Sequence, residues 1–75
     1  MMTGDEFRRW RERHRMTQEQ AGELHRVDGR TVRRWEAAAV DERARAMCLS
    51  WDVMTPECRL ALWRALGCKD AKPRR

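Results

Sequence analysis

The sequence has no apolar run long enough to cross a membrane. Its longest stretch without charge lies around Met47 to Leu49, bounded by Arg45 and Asp52, far short of the ~20 apolar residues a bilayer span requires. The opening residues turn acidic at Asp5 and Glu6 and then arginine-rich, so no secretory leader is expected and a cytoplasmic location is. No Cys-x-x-Cys pair occurs. Cys48, Cys58 and Cys68 are odd in number and widely spaced, with His14 and His25 far upstream. That spacing argues against zinc ligation and against a disulfide framework, and the three thiols are expected to serve as small buried hydrophobes. Also missing are a phosphate-cradling glycine loop and any Ser/His/Asp or Cys/His constellation. The chain does not read as an enzyme, and no metal or cofactor is expected; His14 and His25 read as packing or capping residues.

Lysine is nearly absent. Of the 17 basic residues only Lys69 and Lys72 are lysines, and the rest are arginines set against 12 acidic residues, for a net charge of +5. A codon bias produces the same enrichment, so the placement of the arginines has to decide whether they serve a polyanion. Arginine forms bidentate contacts to phosphate and guanine that lysine does not. The length of 75 residues allows one small core, which excludes a two-domain enzyme, a nucleotide-binding βαβ fold and a barrel with an internal cavity.

Strand signals are missing and helix signals dominate. Thr3-Gly4-Asp5-Glu6 has the form of a capping box, in which the Thr oxygen accepts from the Glu amide and the Glu carboxylate returns the bond. Phe7, Trp10, Arg11 and His14 follow at helical spacing as one stripe, with Arg11 the odd charge inside it. Thr17-Gln18-Glu19-Gln20 is a second capping box; it opens a short helix whose inner face is Ala21, Leu24 and His25. Asp28 is an N-cap for a third helix. Projected at about 100° per residue, Val32, Trp35 and Glu36 share one arc of it, and Arg30, Arg33 and Arg34 the opposite one. Three guanidiniums on one face near a positive helix N-terminus repel one another unless a polyanion neutralises them; a solvated basic surface is the plainer reading of the same pattern.

From Phe7 through Glu36 the chain resembles the Cro/repressor-type helix-turn-helix family, the XRE-like group of small phage and bacterial regulators. The residues that carry the resemblance are Phe7, Trp10 and Arg11, then Met16-Thr17-Gln18-Glu19-Gln20, Leu24 and Val27, and Arg30-Thr31-Val32-Arg33-Arg34-Trp35-Glu36. The resemblance implies that the third helix enters the major groove of double-stranded DNA. Carried over by position, Gly29, Arg30 and Arg34 match base-reading sites, with Arg33 beside them, and Thr17 and Gln18 match phosphate-contacting sites. Arg11 and Glu36 match a family pair that joins helix 1 to helix 3; each also lies on the inward arc of its own helix. Four positions depart from the family: Ala21 replaces a usual Leu, Gly22 a usual Ala, Arg26 a turn Gly, and Ala38 a terminating Gly, so that the third helix is expected to run on through Ala37-Ala38-Ala39.

Beyond Val40 the apolar residues are doubled. Val40, Ala44, Met47, Cys48, Trp51 and Met54 form one helical stripe, with Ala46, Leu49 and Val53 on the other side. Thr55-Pro56 restarts the chain as N-cap and first-turn proline. The following helix places Cys58, Ala61, Leu62 and Ala65 on one face and Leu60 and Trp63 on another. One face suits the core, while Leu49, Val53, Leu60 and Trp63 suit a homodimer interface; a fully buried helical core is the competing reading. The expected architecture is an all-α, five-helix domain with helices at about 4–15, 17–25, 28–38, 41–54 and 56–66. In it, residues 1–38 read DNA, 39–68 complete the core and dimerise, and 69–75 form a flexible basic tail. The function that follows from the resemblance is a homodimeric repressor at an inverted-repeat operator, of a type found in phages or beside anti-CRISPR genes, acting on its own operon. An excisionase or MerR-like DNA binder is the alternative, and an antitoxin-type module that binds a protein partner such as a toxin is another.

Overall fold

A computed structural model describes residues 2–68; the expected tail at 69–75 lies outside the described residues. The chain forms five helices: α1 Gly4–Arg13, α2 Gln18–His25, α3 Gly29–Ala37, α4 Glu42–Val53 and α5 Pro56–Ala65. Both capping boxes form, with Thr3 accepting from the Glu6 amide and Thr17 from the Gln20 amide while the Glu6 and Gln20 side chains bond back. Asp28 caps α3 through the Thr31 amide at 2.9 Å, and Thr55 caps α5 with Pro56 in its first turn. The differences from the expected boundaries are mostly cap residues. α1 is two residues shorter, because Arg15 takes a left-handed backbone (φ 59°) that no α-helix continues through.

α3 does not run on through the alanines. Ala38 leaves helical geometry at φ −139°, ψ −102°. Its carbonyl accepts from the Gly4 amide at 3.3 Å, and Ala39 pairs with Thr3 in an isolated bridge. The start of α1 therefore stops α3 through long-range hydrogen bonds that outweigh the helix propensity of alanine. The contact is close: a Cβ on Gly4 would sit against the carbonyl oxygens of Trp35 and Glu36.

Phe7, Trp10, Met16, Ala21, Leu24, Val32, Val40, Ala44, Cys48, Trp51 and Trp63 make one core. Within it the His25 ring lies among Phe7, Trp10 and Trp35 at centroid distances of 5.4, 5.6 and 5.8 Å. Burial lowers the pKa of His25 to about 4 and pushes the neighbouring Cys48 thiol up to about 12. Cys48 is the buried small hydrophobe expected of it; Cys58 is exposed and Cys68 only half-buried, which corrects the reading of all three as core.

α5 packs with a different face from the one expected. Trp63 is buried against Trp51, ring centroids 6.2 Å apart, with Leu62 and Leu66 beside it. Cys58, Ala61 and Ala65 point outward. Trp63 is thus a core residue and is withdrawn from the dimer-interface set. The largest side chain on the helix chose the face, since burying an indole gains more than burying alanines. Arg59 fixes the α4–α5 corner by donating to the carbonyls of Trp51 (2.8 Å) and Asp52 (3.3 Å) at the end of α4.

Candidate nucleic-acid interface

The α2–α3 pair is the unit on which the candidate site is built. Arg26, the C-cap of α2, takes a left-handed conformation (φ 62°) where a glycine would be unstrained. Its side chain offsets part of that cost, donating to the Leu66 carbonyl at the end of α5 at 2.8 Å. Gly22 lets the turn fold tightly against α2, because a Cβ there would lie 2.6 Å from the Val27 carbonyl oxygen. The connection between α2 and α3 is therefore only residues 26–28, with Arg26 in the left-handed position.

α3 is fastened from behind. Val32 is fully buried, and the Trp35 ring meets Phe7 edge-on at 5.5 Å. The structure brings Arg11 and Glu36 together in a two-pronged ion pair, Nε–Oε2 2.6 Å and Nη2–Oε1 3.2 Å. Their side chains are only 12% and 9% exposed. Arg11 also donates to the Met16 carbonyl at 3.1 Å, so one guanidinium joins α1, the α1–α2 turn and α3. Leaving either partner alone would strand a nearly buried charge at roughly 3–5 kcal/mol.

On the opposite side of α3, Arg30, Arg33 and Arg34 are all exposed. Among the described residues Arg30 and Arg34 make no hydrogen bond or ion pair, while Arg33 leans toward α2, 3.5 Å from Gln18 Oε1 and 3.7 Å from Glu19 Oε2. Gln18, at the α2 N-terminus, spends its amide N–H on Glu36 Oε1 at 3.1 Å. The Thr17 hydroxyl oxygen accepts the Gln20 amide and keeps its own proton free to donate. Gly29 is half-buried at the start of α3. The interface candidates Leu49, Val53 and Leu60 are 51%, 84% and 46% exposed. Leu60 overhangs an open cleft of about 500 Å³ floored by Met16, Trp51 and Trp63.

Two features had no local sequence signal. The carboxylate of Asp52, on α4, receives the Trp10 indole N–H at 3.0 Å and Arg13 Nη2 at 3.0 Å, and lies 2.8 Å from His14 Nε2. Its partial burial alone would raise the pKa, but these contacts from His14, Arg13 and Trp10 hold it below the usual carboxylate value. This hub ties α1 to α4. The second is the close approach of Gly4 to α3. Among the described residues no group of His, Cys, Asp or Glu is arranged to hold a metal ion, and no helix is long and apolar enough to cross a membrane. No family model matches the chain, and no curated protein or solved structure does either.

Proposed function

We propose that this protein is a sequence-specific DNA-binding regulator, a homodimeric repressor that lays α3 in the major groove of an inverted-repeat operator. The observation that carries the reading is the division of α3 into two faces. Val32, Trp35 and Glu36 are held by the core and by Arg11, and three arginines stand exposed on the other side with no core function. A rigid helix with a cationic outer face fits the geometry in which the second helix of the motif meets base edges while the preceding helix abuts the backbone. The resemblance to Cro/repressor-type regulators supports the same reading. Arginine forks suit guanine O6 and N7, so the half-site contains guanine, each bidentate pair discriminating by about 1–3 kcal/mol. Exposed Leu49, Val53 and Leu60 supply apolar surface for a twofold partner, which would set two half-sites about one helical turn apart. The excisionase or MerR-like reading fits less well, since α4 and α5 follow α3 where that group places a β-wing.

Selection of bound sequences from random duplex DNA tests this directly. The expected result is an inverted repeat with guanine in each half. Arg34→Ala should abolish selection while leaving helicity and melting unchanged, because Arg34 is exposed and free of internal contacts among the described residues. Recovery of no enriched duplex at low salt would remove the proposal and leave a protein-binding module in its place.

A further inference from the structure

The three arginines of α3 are not equivalent. Arg30 and Arg34 are exposed and make no hydrogen bond or ion pair among the described residues, with the Asp28 charge near Arg30. Arg33 instead reaches sideways to the first turn of α2, where Gln18 Oε1 lies 3.5 Å and Glu19 Oε2 3.7 Å from its Nη1. Gln18 is itself aimed, since its amide nitrogen is bonded to Glu36 at 3.1 Å and Glu36 is gripped by Arg11. A continuous chain of polar contacts therefore runs Arg11–Glu36–Gln18–Arg33–Glu19, from the nearly buried ion pair to the exposed surface.

Gly29 has a part in this chain. A Cβ at that position would lie 3.2 Å from Glu19 Oε2, closer than side chains ordinarily pack. The bare Gly29 leaves room for the Glu19 carboxylate over the start of α3, within reach of Arg33, and an alanine there would displace that carboxylate by a few tenths of an ångström. Each exposed contact is weak by itself, but together they bias Arg33 toward α2, away from its two neighbours.

Resting on the DNA-binding reading above, we propose that Gln18, Glu19 and Gly29 form a seat that commits Arg33 to the phosphate backbone, leaving base reading to Arg30 and Arg34. The α2 N-terminus is the part of the motif that abuts the backbone, and its outward amides and helix dipole favour an anion there. An arginine seated beside it shares that phosphate. Glu19 and Gln18 are positioning residues in this arrangement. The Glu19 carboxylate also lowers the positive potential beside the phosphate, so the seat restrains binding to arbitrary duplex. Gly29 contributes space and reads no base.

The test is selection from random duplex DNA, followed by binding to the selected sequence and to an unrelated duplex at several salt concentrations. Variants are Arg33→Ala, Arg33→Lys, Glu19→Gln and Gly29→Ala, with Arg34→Ala for comparison and circular dichroism to verify folding. Arg33→Ala should weaken both duplexes by the same factor, roughly tenfold, and lower the salt slope by about one phosphate while leaving the preferred sequence intact. Arg33→Lys should keep that slope and that sequence. Glu19→Gln should strengthen binding to the unrelated duplex several-fold, because it frees Arg33 from the carboxylate, and Gly29→Ala, which only displaces that carboxylate slightly, should change it less than Glu19→Gln does. Loss of one base preference in Arg33→Ala or Arg33→Lys, with an unchanged salt slope, would make Arg33 a base reader and overturn the assignment. Indifference of both duplexes to Arg33→Ala would overturn it too. Failure of the wild-type protein to select any sequence is a different result, since it removes the DNA-binding reading itself.

Discussion

At the residue scale, the groups that matter most are polar atoms placed inside an apolar setting. His25 lies in a box of aromatic rings, and burial holds its pKa near 4, against ~6.5 in an unfolded chain. Between those two values the unfolded state binds more protons than the native one, so stability is complete above about pH 6.5 and falls as pH drops toward 4. The loss is on the order of 3 kcal/mol. Chemical denaturation at pH 7.5, 6 and 4.5 should show this decline, and His25→Leu should flatten it across that window; an equal slope in the variant would mean the decline originates elsewhere. Asp52 acts lower on the scale. Its pKa is held down by His14, Arg13 and Trp10, so its contribution is present above the unfolded value near 3.9 and disappears as pH falls through its lowered native value. Gly22 makes a third prediction at this scale. Alanine normally favours a helix by about 1 kcal/mol over glycine, but a Cβ here would lie 2.6 Å from a backbone oxygen. Gly22→Ala should therefore lower the melting temperature despite its better propensity, and a raised melting temperature would show that the turn can relax.

At the element scale, the helices follow from local rules and their packing does not. Thr3, Thr17, Asp28 and Thr55 each cap a helix through its own backbone amides, a signal contained within four residues, and this is why α1, α2, α3 and α5 can be read from the chain, while α4 is read from the helical spacing of its apolar residues. The inward arc of α3 is equally local, since it follows from 3.6-residue periodicity. The face of α5 was not legible in this way. Leu60, Leu62 and Trp63 spread apolar residues around most of the helix, and only the presence of Trp51 on α4 determines that Trp63 turns inward. The end of α3 was hidden for a similar reason, because Gly4 and Thr3, far upstream, terminate it. The Asp52 hub joins residues about 40 positions apart, beyond any periodicity. In the candidate site, the outward arginines could be read from spacing, while the sideways turn of Arg33 depends on where α2 lies. The Arg11–Glu36 pair yields the prediction for this scale. Arg11→Ala should cost roughly 3–5 kcal/mol by stranding Glu36, whereas Arg11→Met with Glu36→Leu should recover most of the stability, and thermal melts of the three proteins compare them. If α3 also needs the pair for its orientation, the double variant will fold yet bind DNA poorly.

At the scale of the whole molecule, the proposed DNA-binding function would rest on one short cationic helix face per copy, and single modules of this size bury only about 600–1,000 Å² on DNA. Pairing two copies would convert the second half-site into a local event, raising affinity without new contacts on either half. The surface for such pairing has to be apolar and outside the core, and Leu49 and Val53, one turn apart on α4, meet both conditions at 51% and 84% exposure. A charged pair there should break a dimer without harming the fold, because neither side chain contributes to the core. Leu49→Glu combined with Val53→Glu is therefore expected to sediment as a monomer with unchanged helicity. Its affinity for an isolated half-site should match that of the unaltered protein, while its affinity for the full inverted repeat should fall by ten-fold or more. This pattern separates loss of association from damage to α3, which would weaken half-site and full site alike. A double variant that remains dimeric would move the interface to Leu60 and its cleft, and an unaltered protein that sediments as a monomer on the full repeat would leave each half-site to be read alone.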